Sequence, residues 1–261
     1  METITQTIKT LIKNTAVLVL LPLLPFSLLA QESASEWLEA IDRNLNPPQY
    51  ESYRKLMNIE PDGSKKEFVL YTVKRDKEKV AALFLSPSSE KGRATLRVGE
   101  NMWLFIPNVG RALRITSLQS VTGGIFNNSD ILRVDYQAEY HPVSVNPIDE
   151  TGAEGVSLLQ LDLKAKSGAV AYDKLEMIID PKLKSPVRIH AITASGMLIK
   201  TIYFKKRKDF GQGIKRPSVV ETDSPLHKGY KSIMIFAKIK LREFDDEVFT
   251  TDFMGRIETL R

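Results

Sequence analysis

The side chains that most often carry out acid, base, nucleophilic or metal chemistry are few and scattered in this sequence. The three histidines, His141, His190 and His227, lie far apart, and there is no cysteine to complete a zinc site. The sequence also lacks the spaced motifs of a nucleophile elbow, a phosphate-binding loop and a dinucleotide-binding turn. We therefore predict a protein that is not an enzyme and that has no catalytic residue, metal or cofactor.

Two short charged clusters allow a functional and a structural interpretation. Lys205–Lys208 is a run of basic residues, which could contact anionic head groups or an acidic partner, or form a solvated strand end. Asp245–Glu247 is a run of acids, which could supply an acid–base pair or the solvated start of a helix. We favour the structural interpretation of both, because such clusters are common at strand edges and in solvated turns.

The composition excludes several classes of protein. The net charge of +5 arises from 37 basic and 32 acidic residues dispersed along the chain. Such a mild balance favours solubility and not a surface that tracks phosphates, so we expect no nucleic-acid partner. With 43% hydrophobic and 26% charged residues, the 261-residue chain has the composition of a globular protein with a sizeable core.

The N-terminus has the pattern of a secretory leader. Lys9 and Lys13 precede the apolar run 16–26, and the leader ends at the small residue Ala30 before a polar stretch. A bilayer span needs about 20 apolar residues, and this shorter run contains two prolines, so a membrane anchor is disfavoured. We predict a signal peptide over residues 1–30, cleaved after Ala30. With no cysteine for lipid attachment, we expect the mature chain to be free in the periplasm.

One helix is predicted at the start of the mature chain. Ser33 or Ser35 can cap it, and the apolar residues between Trp37 and Leu45 recur at helical spacing. After Pro47 the apolar period changes to two, which is typical of strands separated by turns that favour hairpins in sequence order. The strand-like runs are 68–73, 80–85, 102–106, 158–163, 175–179, 187–192, 198–204 and 233–241.

Some of these runs have apolar residues on both faces. In 102–106, for example, Met102 and Leu104 alternate with Trp103 and Phe105. An antiparallel sheet with two apolar faces must be covered on both, so we predict a curled sheet or open barrel that can enclose a ligand cavity. In the last run, the predicted dry face consists of Ile233, Ile235, Ala237, Ile239 and Leu241.

The stretch 116–149 is the irregular part of the sequence. It contains Gly123-Gly124 and two prolines, and a cap at Ser129 or Asp130 predicts one short helix. We find no internal repeat, low-complexity tract or linker that would divide the chain. Residues 31–261 are therefore predicted to form a single domain.

A block of motifs lies between Phe84 and Asp130. It consists of the strand pair 84–96, the strand 101–107, the basic pair Arg111 and Arg114, and the turn 124–130 that opens a short helix. This order and spacing resembles the outer-membrane lipoprotein-sorting protein family, related to LolA, the periplasmic lipoprotein carrier. Two details depart from the family pattern: Asn128-Ser129-Asp130 replaces the usual Gly-Ser-Asp, and the arginines are not adjacent.

The resemblance implies a mainly β fold with few helices, in which a curved antiparallel sheet forms an incomplete β-barrel covered by helices. It also implies a periplasmic carrier that shields acyl chains of lipoproteins or lipids in an apolar cavity. Such a carrier would pass its cargo from an inner-membrane exporter, of ABC or RND type, to an outer-membrane acceptor. A cover is needed because exposing an acyl chain to water costs about 0.8 kcal/mol per methylene.

Specific residues are predicted for this site. Arg111 and Arg114 are assigned to a head group or a partner, with an ordinary exposed strand end as the alternative. The lipid-binding assignments have plain core packing as their alternative, and they are Trp37, Phe84, Trp103, Phe105, Phe126 and Met197.

Two other functions remain open. The same fold resembles the lipid- or peptide-sensing domain of periplasmic regulators of envelope stress. Those regulators usually carry a further C-terminal domain, whereas this sequence ends at Arg261 soon after the last predicted strand, so we rank a sensor below a carrier. A lipid hydrolase with a site assembled only in three dimensions has no support in the sequence.

Overall fold

Helix α1, Ala34–Leu45, is the first element of the computed structural model, which describes residues 32–261. The predicted signal peptide, residues 1–30, lies outside the described residues. Ser33 caps α1, because its Oγ accepts a hydrogen bond from the Glu36 amide at 3.3 Å while the Glu36 carboxylate accepts one from the Ser33 amide at 2.6 Å. The predicted helix is confirmed, and its buried residues are Trp37, Leu38, Ile41, Asp42 and Leu45.

Thirteen antiparallel strands form one curved sheet that does not close into a barrel. Their bounds are β1 Gln49–Ile59, β2 Lys65–Arg75, β3 Lys79–Ser86, β4 Ala94–Val98, β5 Asn101–Phe105, β6 Ala112–Ile115, β7 Tyr140–Thr151, β8 Ser157–Ala165, β9 Lys174–Asp180, β10 Ser185–Ile192, β11 Leu198–Asp209, β12 Lys215–Asp223 and β13 Lys231–Leu241. The spatial order is β6-β5-β4-β3-β2-β1-β13-β12-β11-β10-β9-β8-β7, so the first and last strands pair at the centre and β6 and β7 are the two edges. The predicted fold class and the hairpins in sequence order are confirmed.

The two edge strands are consecutive in the sequence, so residues 116–139 must lead from one edge of the sheet to the other. This segment, the connector, contains two short helices, α2 at Asn128–Ile131 and α3 at Tyr136–Glu139. The predicted cap at Ser129 or Asp130 is wrong: Asn127 is the cap, and its Oδ1 accepts a hydrogen bond from the Asp130 amide at 3.0 Å. The irregular stretch is also shorter than predicted, because β7 begins at Tyr140.

Both faces of the sheet carry apolar cores, as predicted. The inner face, defined here as the face covered by α1 and the connector, includes Phe68 and Leu70 of β2. On the outer face of the same strand, Tyr71 and Val73 pack under residues 246–260, which form two 3₁₀ helices. Asp245–Glu247 is therefore the start of this outer cover, in agreement with the structural interpretation of that acidic cluster.

The predicted dry face of β13 is wrong except at Ile239, because Ala237 and Leu241 are exposed and the first half of the strand has the opposite parity. The buried residues are Met234 and Phe236, whereas Ile233 and Ile235 lie half-buried on the opposite face. A register shift opposite Tyr53 and Arg54 in β1 inserts one extra residue before Ile239. Because side chains alternate between faces, this bulge changes which residues point inward along the strand.

Gly124 in the connector supplies a stability test. A Cβ at this position would overlap the amide of Asn58, and that amide donates to the Thr122 carbonyl at 2.9 Å and accepts from Ser232 Oγ at 2.8 Å. Asn58 cannot move aside without losing these bonds, so Gly124→Ala is expected to lower the free energy of unfolding by about 1–3 kcal/mol. Urea denaturation would measure the loss.

Gly168→Ala is the matched control for Gly124→Ala. A Cβ at Gly168 would meet open space, and the φ of this residue lies outside the left-handed region. The same chemical change should therefore leave stability unchanged or slightly raised. Equal stabilities for the two variants would contradict the packing of Asn58 against Gly124.

Candidate functional site

A cavity of about 50 Å³ lies beneath the C-terminal end of α1, between the inner face of the sheet and the connector. This volume holds several water molecules but not an acyl chain, since ligand pockets usually measure roughly 300–1,000 Å³. Most of the lining is apolar or aromatic, with four charged residues among it. The lining residues are Leu45, Asn46, Tyr50, Arg54, Phe126, Asp130, Arg133, Tyr136, Ile202, Phe204, Arg216, Val220, Met234 and Phe236.

Arg54 of β1 is buried and joins the sheet to the connector. Its Nη1 donates to the carbonyl of Ile131 at 3.0 Å, its Nε to Ser52 Oγ at 3.1 Å and its Nη2 to the Tyr50 hydroxyl at 3.4 Å. All three acceptors are neutral. The charge of this guanidinium is therefore not balanced by the groups that hold it.

Arg216 of β12 is equally buried and lies beside the same aromatic ring as Arg54. The guanidinium carbons of Arg216 and Arg54 are 4.2 Å and 4.8 Å from the centroid of Phe236. Arg216 donates to the carbonyl of Leu45 at the end of α1 and to that of Pro217. Burial, together with the nearby charge of Arg54, lowers the pKa of Arg216 to about 10, so the side chain remains charged at neutral pH.

Neither arginine has an acidic partner in the part of the chain that the structure describes. No Asp or Glu oxygen of residues 32–261 lies within 4.0 Å of either guanidinium. Asp130 lines the same cavity, but its oxygens are taken by Lys200 Nζ at 2.9 Å and by Arg133 Nη2 at 3.1 Å. The cavity wall thus has an excess of buried positive charge.

A further unsatisfied donor lies at this wall. Asn46, the residue that ends α1, is buried, and its Nδ2 has no hydrogen-bond partner among the described residues. A buried amide donor without a partner costs free energy, and in native proteins such groups call for an explanation. Asn46 lines the same cavity as the two arginines.

Asp130 is the centre of the charged network beside the cavity. Besides Lys200 and Arg133, it accepts a hydrogen bond from the Tyr172 hydroxyl at 2.9 Å and one from the Asn127 amide at 3.1 Å. Burial by itself would raise its pKa, but the charges of Lys200 and Arg133 outweigh it, and the pKa of Asp130 is held below its usual value. The carboxylate is therefore ionised and holds the connector to β11.

Asp42 joins the two parts of the inner cover. This α1 residue accepts hydrogen bonds from the amides of Tyr136 and Gln137, at 2.8 Å and 2.9 Å, in the first turn of α3. Burial, reinforced by the charge of Asp135, raises the pKa of Asp42 to about 7. The contact between α1 and the connector is consequently sensitive to pH near neutrality.

The predicted lipid-binding residues lie in different places. Phe126 lines the cavity, and Trp37 and Phe84 belong to the same inner core without lining it. Trp103 and Phe105 pack with the outer core. Met197 is 51% exposed in the turn between β10 and β11. The structure thus brings three of the six to the inner face and separates the other three from it.

The predicted basic pair lies on the outer side of the sheet. Arg111 lines an open cleft with Trp103 and Phe105, next to the 3₁₀ segment, and Arg114 is exposed with its guanidinium carbon 5.1 Å from the Trp103 ring centroid. The four residues therefore form a separate surface group. The basic run Lys205–Lys208 is exposed at the end of β11, which agrees with the strand-end interpretation.

Other kinds of site are not supported by the described residues. Over 32–261, no cluster of three or more His, Asp or Glu residues is arranged to hold a metal ion. In the same part of the chain, no helix is both long enough and apolar enough to cross a bilayer. The cavity itself combines an apolar wall with arginine donors held by carbonyls, an arrangement suited to binding a partly apolar molecule.

Sequence reasoning did not find Arg54 and Arg216. The burial of Arg54 could have been recognised from its position in the strand. In β1 it lies on the same face as Tyr50 and Leu56, which are both buried. Arg216 is followed by Pro217, which argues against a strand interior. A charged residue interrupts the apolar alternation by which a strand is recognised, so the sequence analysis does not predict β1 or β12.

Comparisons with known proteins agree with this architecture. A family model described as an uncharacterized protein matches residues 76–256. A LolA superfamily protein from Nitrosomonas europaea has a similar structure, with a TM-score of 0.76 and 25% identity over 85% of this chain and 100% of that one. No curated protein matches the sequence.

Two further solved structures have the same fold. An outer membrane lipoprotein-sorting protein domain from Vibrio parahaemolyticus has a TM-score of 0.72 and 15% identity over 85% of this chain and 97% of that one. A DUF1329 family protein from Desulfovibrio piger has a TM-score of 0.72 and 16% identity, with the same coverage. The resemblance identified from the motif block at 84–130 is confirmed by these matches.

Proposed function

Because the chain belongs to the uncharacterized protein family whose model spans residues 76–256 and has the LolA fold, we propose that it is a periplasmic carrier of acyl chains. In this proposal the inner face of the sheet receives the acyl chains of a lipoprotein or lipid. An inner-membrane exporter supplies the cargo and an outer-membrane acceptor takes it. No chemical step is required.

The observation that supports this function most directly is the nature of the inner cover. The apolar inner face is covered by one helix and the connector. Helix α1 packs against β7, β8, β10 and β12 and against α3, but its backbone takes no part in the strand pairing of the sheet. Side-chain hydrogen bonds of Arg216 and Asn44 attach its C-terminal end to β12 and to the turn between β9 and β10. Helix α1 can therefore move away and leave the strand pairing of the sheet intact.

The cover must move if an acyl chain is to enter, since the cavity measures only about 50 Å³. Exposing the four apolar residues on the buried face of α1 costs on the order of 6–12 kcal/mol, at about 1.5–3 kcal/mol each. An acyl chain of about 16 carbons gains on the order of 13 kcal/mol on leaving water. The two quantities are comparable, so burial of the cargo can compensate for the apolar surface that α1 exposes when it leaves the inner face.

The direct test is to find the cargo. The protein is produced from the full-length gene, recovered from the periplasmic fraction and analysed by lipid mass spectrometry. A fluorescent hydrophobic probe is then titrated into delipidated protein. We expect co-purified lipid and saturable probe binding that the lipid displaces, whereas protein that carries no lipid and takes up no probe would contradict the proposal.

A variant of α1 should ease opening. Asn44 Nδ2 donates to the carbonyls of Leu183 and Lys184, at 3.2 Å and 3.0 Å, and so fastens the end of α1 to the turn between β9 and β10. Removing these bonds with Asn44→Ala should favour the open state by about 1–1.5 kcal/mol, which raises probe affinity roughly fivefold to tenfold. Titration of the fluorescent probe measures this change.

Arg43→Ala is the control for Asn44→Ala. Arg43 is in the same helix turn, but its side chain is 71% exposed and pairs only with the exposed Glu39 among the described residues. We expect wild-type probe affinity for this variant. Equal effects of the two substitutions would show that helix propensity, and not the fastening of α1, controls probe entry.

A further inference from the structure

The two buried arginines at the cavity point to the chemistry of the ligand. Arg54 and Arg216 lie 4% exposed each, and burying a charge without a counter-ion is expensive. Their acceptors are carbonyl and hydroxyl oxygens. Replacing either by an apolar residue would remove this cost, so packing alone gives no reason for the charge.

Both side chains also retain hydrogen-bonding capacity. A guanidinium has five N–H donors, of which Arg54 uses three and Arg216 two in contacts with described residues. Asn46 Nδ2, at the same wall, has no acceptor in residues 32–261. The cavity therefore has a group of donors and a shortage of acceptors.

The surrounding charges do not satisfy this group. Asp130 is the single acid among the described residues that lines the cavity, and Lys200 and Arg133 already neutralise it. The other buried acids of the connector are paired elsewhere: Asp135 with Lys74 at 3.0 Å, and Glu139 with Arg97 at 2.6 Å and with Arg133 at 2.8 Å. The positive charge of Arg54 and Arg216 is thus left for a group that is not part of residues 32–261.

We propose that Arg54 and Arg216, with Asn46, bind an oxyanion, so that the carried molecule is an amphiphile with an anionic carboxylate or phosphate head. This inference rests on the proposed function. The cavity of about 50 Å³ has room for several waters and hence for such a head group. The apolar residues of its wall, such as Phe126, Ile202 and Met234, would contact the first part of the acyl chain when the cover moves.

Binding of the head group would also affect how the cover is attached to the sheet. Arg216 also contacts the last carbonyl of α1, at Leu45, and Arg54 contacts the carbonyl of Ile131 in the connector. An oxyanion that binds the unused donors would draw both guanidinium groups away from these neutral carbonyls, because hydrogen bonds between charged partners are roughly twice as strong. Binding of the head would therefore weaken the attachment of both parts of the cover.

The test compares two probes with the same polyene chain, the fluorescent fatty acid cis-parinaric acid, which is anionic at pH 8, and its neutral methyl ester. Each is titrated into the delipidated full chain at pH 8. We expect wild-type protein to prefer the acid about tenfold to a hundredfold. Arg216→Met should abolish the preference by weakening binding of the acid while leaving binding of the ester. A purely structural arginine would change both affinities together.

Matched variants keep the result interpretable. Arg207→Met removes an arginine that is exposed on the neighbouring strand β11, and it should retain the wild-type preference. Arg54→Lys keeps the charge without the planar fork, so it should retain part of the preference even if Arg54→Met fails to fold. Equal affinity of wild-type protein for acid and ester would overturn the inference while leaving the carrier function standing.

An inorganic anion distinguishes the remaining cases. If neither probe binds, the carrier function is contradicted. The existence of an anion site is then tested separately, by comparing the melting temperature in phosphate with that in chloride at the same ionic strength. Stabilisation of wild-type protein but not of Arg216→Met would support a site for a free oxyanion. Identical melting temperatures in phosphate and chloride, combined with no probe preference, would exclude the site.

Discussion

Asp130→Asn is expected to lower the free energy of unfolding by about 3–5 kcal/mol, because it breaks a buried charge network from one side. The substitution keeps the size of the side chain but removes the charge that Lys200 and Arg133 share. Lys200 is buried as well, and its Nζ also bonds to the carbonyl of Ile125. The ammonium would remain in a dry environment with only neutral acceptors. Urea denaturation followed by tryptophan fluorescence measures the loss.

Two further variants test the assignment to buried charge. Asp209→Asn breaks the exposed pair with Lys215 and should leave stability unchanged. The double variant Asp130→Asn/Lys200→Met removes both partners of the buried pair, so it should be more stable than Asp130→Asn alone. A double variant that is less stable than either single variant would show that Lys200 acts through contacts other than Asp130.

Stability is expected to fall by on the order of 4 kcal/mol between about pH 4 and pH 7 through Asp42. The pKa of Asp42 is raised from 3.8 to about 7 in the folded protein. Between these values the folded state binds more protons at this site than the unfolded state does, so the free energy of unfolding decreases as pH rises. Above pH 7 both states are ionised and the decrease ends. Denaturation at pH 5, 6, 7 and 8 measures the slope.

Asp42→Asn should flatten this part of the pH profile. The amide stays neutral, so the variant should be less stable than wild type or equal to it at pH 5 and more stable at pH 8. Glu39→Gln changes an exposed acid of the same helix and should follow the wild-type profile. A profile of Asp42→Asn that runs parallel to wild type would contradict the raised pKa.

The same titration affects the inner cover. Ionised Asp42 lies next to Asp135. This second carboxyl is also buried, and burial raises its pKa. Lys74, which pairs with Asp135 at 3.0 Å, offsets part of the repulsion between the two carboxylates, but burial and Asp135 together still disfavour the ionised form of Asp42, so the junction of α1 and α3 weakens as pH rises. Probe binding by wild-type protein should therefore increase from pH 6 to pH 8, and Asp42→Asn should lose this increase.

Much of the architecture could be predicted from local sequence patterns. The capping residue Ser33 and the apolar spacing after it locate α1, and period-two runs locate most of the strands. The two apolar faces of β2 predict that the sheet is covered on both sides, and the structure places α1 with the connector on one side and residues 246–260 on the other. These features depend on neighbouring residues, so they can be recognised without the fold.

The location of the candidate site could not be predicted in the same way. Alternation in a strand shows which residues share a face, but it does not show which face is inner. The sequence predicts Trp103 and Phe105 as lipid-binding residues, but both lie on the outer side of β5, whereas Met102 of the same strand is in the inner core. In β13 the bulge opposite Tyr53 and Arg54 adds one residue, so the residues before it and after it that point inward no longer follow a single alternation.

The sequence by itself determined a curled antiparallel sheet with a leading amphipathic helix, because hydrophobic periodicity and turn residues act over a few positions. Only the tertiary structure decided that Arg54, Arg216 and Asn46 meet at one cavity, because they come from β1, β12 and the end of α1 and are joined by the pairing of β1 with β13. A buried charge contradicts the local pattern that predicts a strand, so it can be recognised as a site only when its neighbours in space are known.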